Sequence, residues 1–183
     1  MSKNQISLNL GVEIKRYVPT KNDIEDYIKN QRLMSAKTPN ASLTMNQYLK
    51  DRYFADEPVV VTADLSNRVF GKDGTDKVTD QITDLSGGDF TGCILKNTLF
   101  QGCDLAEAVF CDVDFDNALF KDTKLTNIDF RGADLSNCRF SENYKDYEQL
   151  GKRADIAGIK YSVTSSLGRR YADVKSDLVR QKE

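Results

Sequence analysis

The chain has 183 residues, of which 30% are charged and 39% hydrophobic; its formal net charge is −2 and it contains no histidine. That length suits one domain, or one domain with small appendages. No apolar run approaches a membrane span, and the missing histidine removes Ser–His and Cys–His nucleophilic pairs.

Residues 1–62 do not repeat. Ile6, Leu8, Leu10, Val12 and Ile14 alternate with mostly polar residues, which predicts a half-buried strand. The first residues lack a basic region followed by an apolar core, so no secretory signal is expected. Pro19 and Thr20 punctuate the chain. Ile24, Tyr27, Ile28 and Gln31 then take helical spacing, predicting a helix over 21–34. Residues 36–42 read as a loop. Thr44 is placed to cap a second helix reaching Phe54, with Met45, Tyr48, Leu49 and Tyr53 as its apolar set, and Pro58 stops it. Val59, Val60 and Val61 predict a strand that enters the repeating part of the chain.

From residue 83 to 142 one five-residue pattern repeats twelve times without insertion. Every fifth residue from Leu85 to Phe140 is Leu or Phe. Two positions earlier sits a compact residue, with Ile128 the bulky exception. Two positions later sits Gly, Asn or Asp in ten of the twelve cases. A period of five fits neither helix nor plain strand. It fits a short extended step and then a tight turn, because Gly, Asn and Asp accept turn geometry. Large and compact residues then alternate inside a narrow core. Four steps close a coil of twenty residues, and coils stack at a strand-like spacing of about 4.8 Å. The offset of twenty supports this: Leu85, Leu105 and Leu125 form one column, Phe90, Phe110 and Phe130 a second, and Phe100, Phe120 and Phe140 a third. Only Leu95, Phe115 and Leu135 mix types. Leu65 and Phe70 lie twenty residues before Leu85 and Phe90. Residues 63–72 therefore read as half of an earlier coil, with a loop excursion at 73–82 standing in for its other half.

The pattern resembles the pentapeptide-repeat family, whose motif is a small residue, Asp or Asn, Leu or Phe, and two polar residues. Ala-Asp-Leu-Ser-Asn at 63–67 and 133–137 and Cys-Asp-Leu-Ala-Glu at 103–107 carry the resemblance. It implies a mainly β fold: a right-handed quadrilateral β-helix of about 3.5 coils. It also implies a binding or scaffolding role and no family-wide catalytic residue. The organisation expected is a strand and helix capping segment over 1–62, the repeat region over 63–142, and a C-terminal segment over 143–183. In that last segment Tyr144, Tyr147 and Leu150 suggest a short helix, and residues 154–163 resume the motif one residue out of register. Leu167, Tyr171, Val174 and Leu178 form the stripe of a final helix that caps the stack or dimerises.

The positions on either side of each central Leu or Phe face solvent. The preceding position is Asp at six repeats but apolar at Ile94, Leu99, Val109 and Leu119. Apolar residues on a β-helix wall call for a cover, from this chain or from a partner, so these four are the candidate protein-binding patch. Cys93, Cys103 and Cys138 take the inward compact position and predict packed free thiols in a cytoplasmic or other reducing compartment. Cys111 falls on an outward position. No Cys-x-x-Cys pair is present, so no zinc is expected. No Gly-rich phosphate loop appears apart from the repeat glycines. No cofactor, no metal and no catalytic residue are expected, and the chain is read as a non-enzyme.

Residues 81–142 carry 5 basic and 11 acidic residues, net −6. Such a wall disfavours direct nucleic-acid binding. It leaves two readings: a protein-interaction or scaffold module, such as a bacterial effector or complex subunit, or a DNA-mimicking inhibitor of type II topoisomerase (gyrase). A homodimer through the C-terminal helix is a further expectation.

Overall fold

In the computed structural model, residues 12–38, 42–71, 82–135 and 137–140 are described. Strand β1 (Glu13–Tyr17) precedes helices α1 (Lys21–Lys37) and α2 (Met45–Tyr53). Strands β2 (Val59–Ala63), β3 (Val69–Gly71), β4 (Leu99–Gln101), β5 (Leu119–Lys121) and β6 (Arg139–Phe140) complete the order. All pairings among the described residues are parallel: β1 with β2, and β3 to β6 in chain order.

Both helices begin where the chain supplies an acceptor for orphan amides. The Thr20 hydroxyl accepts from the Asp23 amide, and the Asp23 carboxylate accepts from the Thr20 amide, closing a reciprocal cap. Thr44 accepts from the Gln47 amide at 3.1 Å. Helix α1 runs to Lys37, one turn beyond the expected end.

The repeat builds a parallel β-helix. Leu99 pairs with Leu119 and Leu119 with Arg139, each twenty positions apart. The same offset joins Asp84 to Asp104, Asp89 to Val109, and Ile94 to Asp114 through single bridges. Every central Leu and Phe from Leu85 to Phe140 is buried. Their rings stack coil on coil: Phe100 on Phe120 at 4.9 Å, Phe120 on Phe140 at 4.8 Å, Phe90 on Phe110 at 5.2 Å and Phe110 on Phe130 at 5.8 Å. Between columns the rings meet edge to face, as at Phe100–Phe110, so both favourable aromatic geometries recur. The turn residue two positions after each centre has positive φ at Gly87, Gly92, Asn97 and Gly102, and also at Glu107, where φ is 62°.

The first coil differs from expectation. Val69 pairs with Leu99 and Phe70 stacks on Phe100 at 5.2 Å, while Asp64 bridges to Ile94. The offset here is thirty, so Leu65 and Phe70 do not share columns with Leu85 and Phe90. Residues 63–71 and 83–92 belong to one coil, so the stretch between them interrupts that coil rather than standing in for half of an earlier one. Ten extra residues preserve a five-residue phase, which is why the repeat alone cannot distinguish the two arrangements.

Side chains from α1 and α2 cover the first coil and engage its backbone edge. The Asp89 amide donates to the Tyr27 hydroxyl at 2.7 Å, and the Asp89 carbonyl accepts from the Met45 amide at 2.8 Å. Asn46 accepts from the Ala63 amide at 2.7 Å and donates to the Thr91 carbonyl at 3.1 Å. Ile28 packs so tightly against Gly88 that a Cβ there would lie 2.8 Å from its Cδ1.

Strand β1 also corrects an expectation. Its one aliphatic residue, Ile14, and Val12 just before the strand face solvent, 58% and 46% exposed. Tyr17 lies on the opposite face, stacked on Tyr53 at 5.1 Å, and the Lys15 ammonium sits 4.9 Å from the centre of the Phe54 ring. The aromatic C-terminus of α2 therefore sets which face turns inward. Residues 1–11 and 141–183, including the expected C-terminal helices, lie outside the described residues.

Candidate functional site

The outward residue before each central Leu or Phe stacks into columns, and half of these residues are Asp, for a local reason. Six of the Asp carboxylates accept from the amide two residues on: Ser66 to Asp64, Ser86 to Asp84, Thr91 to Asp89, Ala106 to Asp104, Asp116 to Asp114 and Arg131 to Asp129, all at 2.9–3.1 Å. This is an Asx turn, which satisfies the corner amide without help from the next coil. The acidic wall is therefore built partly for turn geometry. Burial acts to raise the carboxyls of Asp64, Asp84 and Asp129. Hydrogen bonds from Ser66, Ser86 and Arg131, with ion pairs to Arg16, Arg32 and Arg131, outweigh it and hold all three below the ordinary range.

One face escapes the requirement. Along β3–β6 the ladder is wider, and the pairing of Gln101 with Lys121 draws the Lys121 amide into it. No Asx acceptor is needed there, and the outward column reads Val69, Leu99, Leu119, Arg139. The first three side chains are half-buried and Arg139 is exposed. Leu99 and Leu119 are thus brought together as neighbours, as their spacing implied. Val69 joins them; it escaped sequence reasoning because its offset of thirty was read as twenty.

Ile94 and Val109 do not extend this column. Ile94 sits between Asp64 and Asp114, and Val109 between Asp89 and Asp129. Val109 is half a coil from Leu99, on another face. The four candidates therefore do not form one patch. Leu167, Tyr171, Val174 and Leu178 lie outside the described residues.

Cys93, Cys103 and Cys138 are buried, and burial pushes their thiols up, that of Cys103 to about 12. Thiols held protonated are poor nucleophiles and poor ligands. Cys111 is half-buried, and burial together with the Asp129 carboxylate raises it too. Among the described residues no group of three or more His, Cys, Asp or Glu could hold a metal ion, and no helix is long and apolar enough to cross a membrane.

This geometry agrees with comparison to known families: residues 81–150 match the family model described as a pentapeptide repeat region. The stretch is a pentapeptide repeat region. Its match begins just before the second half of the first coil and continues past Phe140, the last buried ring among the described residues. No curated protein matches the chain significantly. Pentapeptide repeats are commonly protein–protein interaction modules.

Proposed function

We infer that the chain is a non-catalytic protein-binding module whose pentapeptide repeats form a right-handed quadrilateral stack. The observation that carries the binding role is the in-register apolar column Val69–Leu99–Leu119 on the outer face of β3–β5. A rigid ladder holds these side chains half-exposed, a surface suited to a partner's apolar residues. Four bridged columns per twenty residues support the four-sided coil. The proposed division remains a covering segment over 1–62, repeats over 63–142 and a C-terminal cap over 143–183. Three buried thiols favour a reducing compartment such as the cytoplasm. A role as a bacterial effector or as a subunit of a larger assembly belongs to this reading.

The test is Leu119→Asp. Asp is the usual residue at this position of the repeat, so the substitution costs only a cross-strand contact, about 1 kcal/mol or less. Affinity purification from the native host, quantified by mass spectrometry, should lose the partner captured by the wild type while the melting temperature stays within a few degrees. Equal capture by both proteins would refute the assignment.

The stacked Asp columns favour a second reading, a DNA mimic that inhibits gyrase. Against it, three and a half coils at about 4.8 Å make a rod of only about 17 Å. Complete gyrase supercoiling in a large excess of purified protein would eliminate it.

A further inference from the structure

Strand β1 is the last rung of its wall, and its outer edge has no partner among the described residues. The Asp64 amide donates to the Tyr17 carbonyl at 2.7 Å, so Tyr17, Lys15 and Glu13 direct their backbone groups toward β2. Backbone direction alternates along a strand, so the amides and carbonyls of Ile14 and Arg16 point away from it. The same end of the molecule carries exposed apolar side chains. Val12, Ile14 and Val60 (53% exposed) share the outer face, with Ile14 directly beside Val60. An open edge joined to an apolar face is a template for strand addition.

We propose that two copies of the chain pair antiparallel through β1, about a two-fold axis at Ile14. The charges of the strand select both the occupant and the register. An axis at Ile14 sets Ile14 against its own mate and Val12 against Arg16, all with outward backbone groups, which is the hydrogen-bonded geometry. It sets Glu13 against Lys15 twice, at the closer, non-hydrogen-bonded positions. Moving the axis to Glu13, Lys15 or Arg16 places like charges face to face on the axis, and an axis at Tyr17, the last residue of β1, leaves the two strands overlapping at that residue alone. An axis between two residues opposes outward groups to inward ones and forms no ladder. Only one register is therefore both hydrogen-bonded and charge-matched, and it is self-complementary, as a two-fold interface must be. A contact of one short strand belongs to the small, weak class of interfaces, so the dimer should dissociate in the micromolar range.

The experiment is light-scattering mass of the full chain across a concentration series that spans micromolar dissociation. The wild type should pass from monomer to dimer. Ile14→Pro removes an outward amide and leaves the β1–β2 bonds in place; Glu13→Lys puts Lys opposite Lys. Each should raise the dissociation constant tenfold or more, with circular-dichroism melts confirming the fold. Lys15 also pairs with Glu57, so the rescue is the triple variant Glu13→Lys, Lys15→Glu, Glu57→Lys, which reverses both pairs and should restore dimerisation. A wild type that stays monomeric overturns the proposal. So does a Glu13→Lys protein that dimerises normally, or a folded triple variant that does not recover. If Ile14→Pro unfolds, the charge variants still decide.

Discussion

Replacing Tyr27 with Phe removes one oxygen from the junction between α1 and the first coil. The ring keeps its packing against Tyr48 and Phe90, at centroid distances of 5.5 and 5.9 Å, so no cavity term enters. The hydroxyl accepts from the Asp89 amide and lies 2.7 and 2.9 Å from the carbonyls of Asp89 and Leu43, donating to one of them. The Asp89 carbonyl retains the Met45 amide. The Asp89 amide retains nothing and is buried, and a buried donor left without an acceptor costs about 1–3 kcal/mol. We expect a loss of about 2 kcal/mol, or about 4–8 °C in Tm for a chain of this size. The assay is urea unfolding with the m-value compared between proteins, because solenoid ends can open apart from the rest. Hydrogen exchange at the Asp89 amide supplies the local readout and should lose protection. Tyr48→Phe is the control; its hydroxyl takes a bond from the exposed Arg52 side chain. If Tyr27→Phe costs no more than that control and the Asp89 amide stays protected, the helices do not seal the first coil as described.

The turns and the carboxylates carry further expected outcomes. Glu107 holds φ at 62° where its neighbours are Asn, Asp or Gly, so Glu107→Asn should stabilise by about 0.5–1 kcal/mol, read as a higher midpoint in urea. Gly132→Ala should destabilise by about 1–2 kcal/mol, since φ is 69° and the new Cβ would stand 2.2 Å from Asp112 Oδ1. Asp64, Asp84 and Asp129 have carboxyls depressed on folding. Their stabilising contribution is complete above the unfolded value of about 3.9 and is lost as pH falls through the lower folded values. Thermal melts should be flat with respect to these groups down to about pH 5 and then decline, and replacing all three with Asn should flatten the acid decline.

The interior could be read from the sequence because a period of five leaves a Leu or Phe one geometric role. Phe100, Phe120 and Phe140 had to meet once coils of twenty were inferred. The placement of Leu65 and Phe70 was not readable. An insertion of ten changes the column without changing the phase, and only the pairing of Val69 with Leu99 decides it. Alternation in β1 correctly implied two faces, but the aromatic end of α2, not hydrophobicity alone, determines which one is covered. Outward positions were identified correctly while their grouping was not. Leu99 and Leu119 are one coil apart and touch the same ladder, whereas Val109 sits half a coil round. Tyr27 and Asn46 were unreadable as backbone acceptors for a similar reason: their partners, Asp89 and Ala63, are distant in sequence and lie on an edge that exists only after the coil has closed.

The constant offset of twenty above the first coil has an architectural implication. Excising residues 93–112 would bring Phe90 onto Phe130, Phe70 onto Phe120 and Val69 onto Leu119, like on like. Excising five residues would preserve every turn yet rotate each ring into the wrong stack. Chain length in this architecture is thus quantised: whole storeys can be removed or added beneath an unchanged roof, but fractions of a storey cannot.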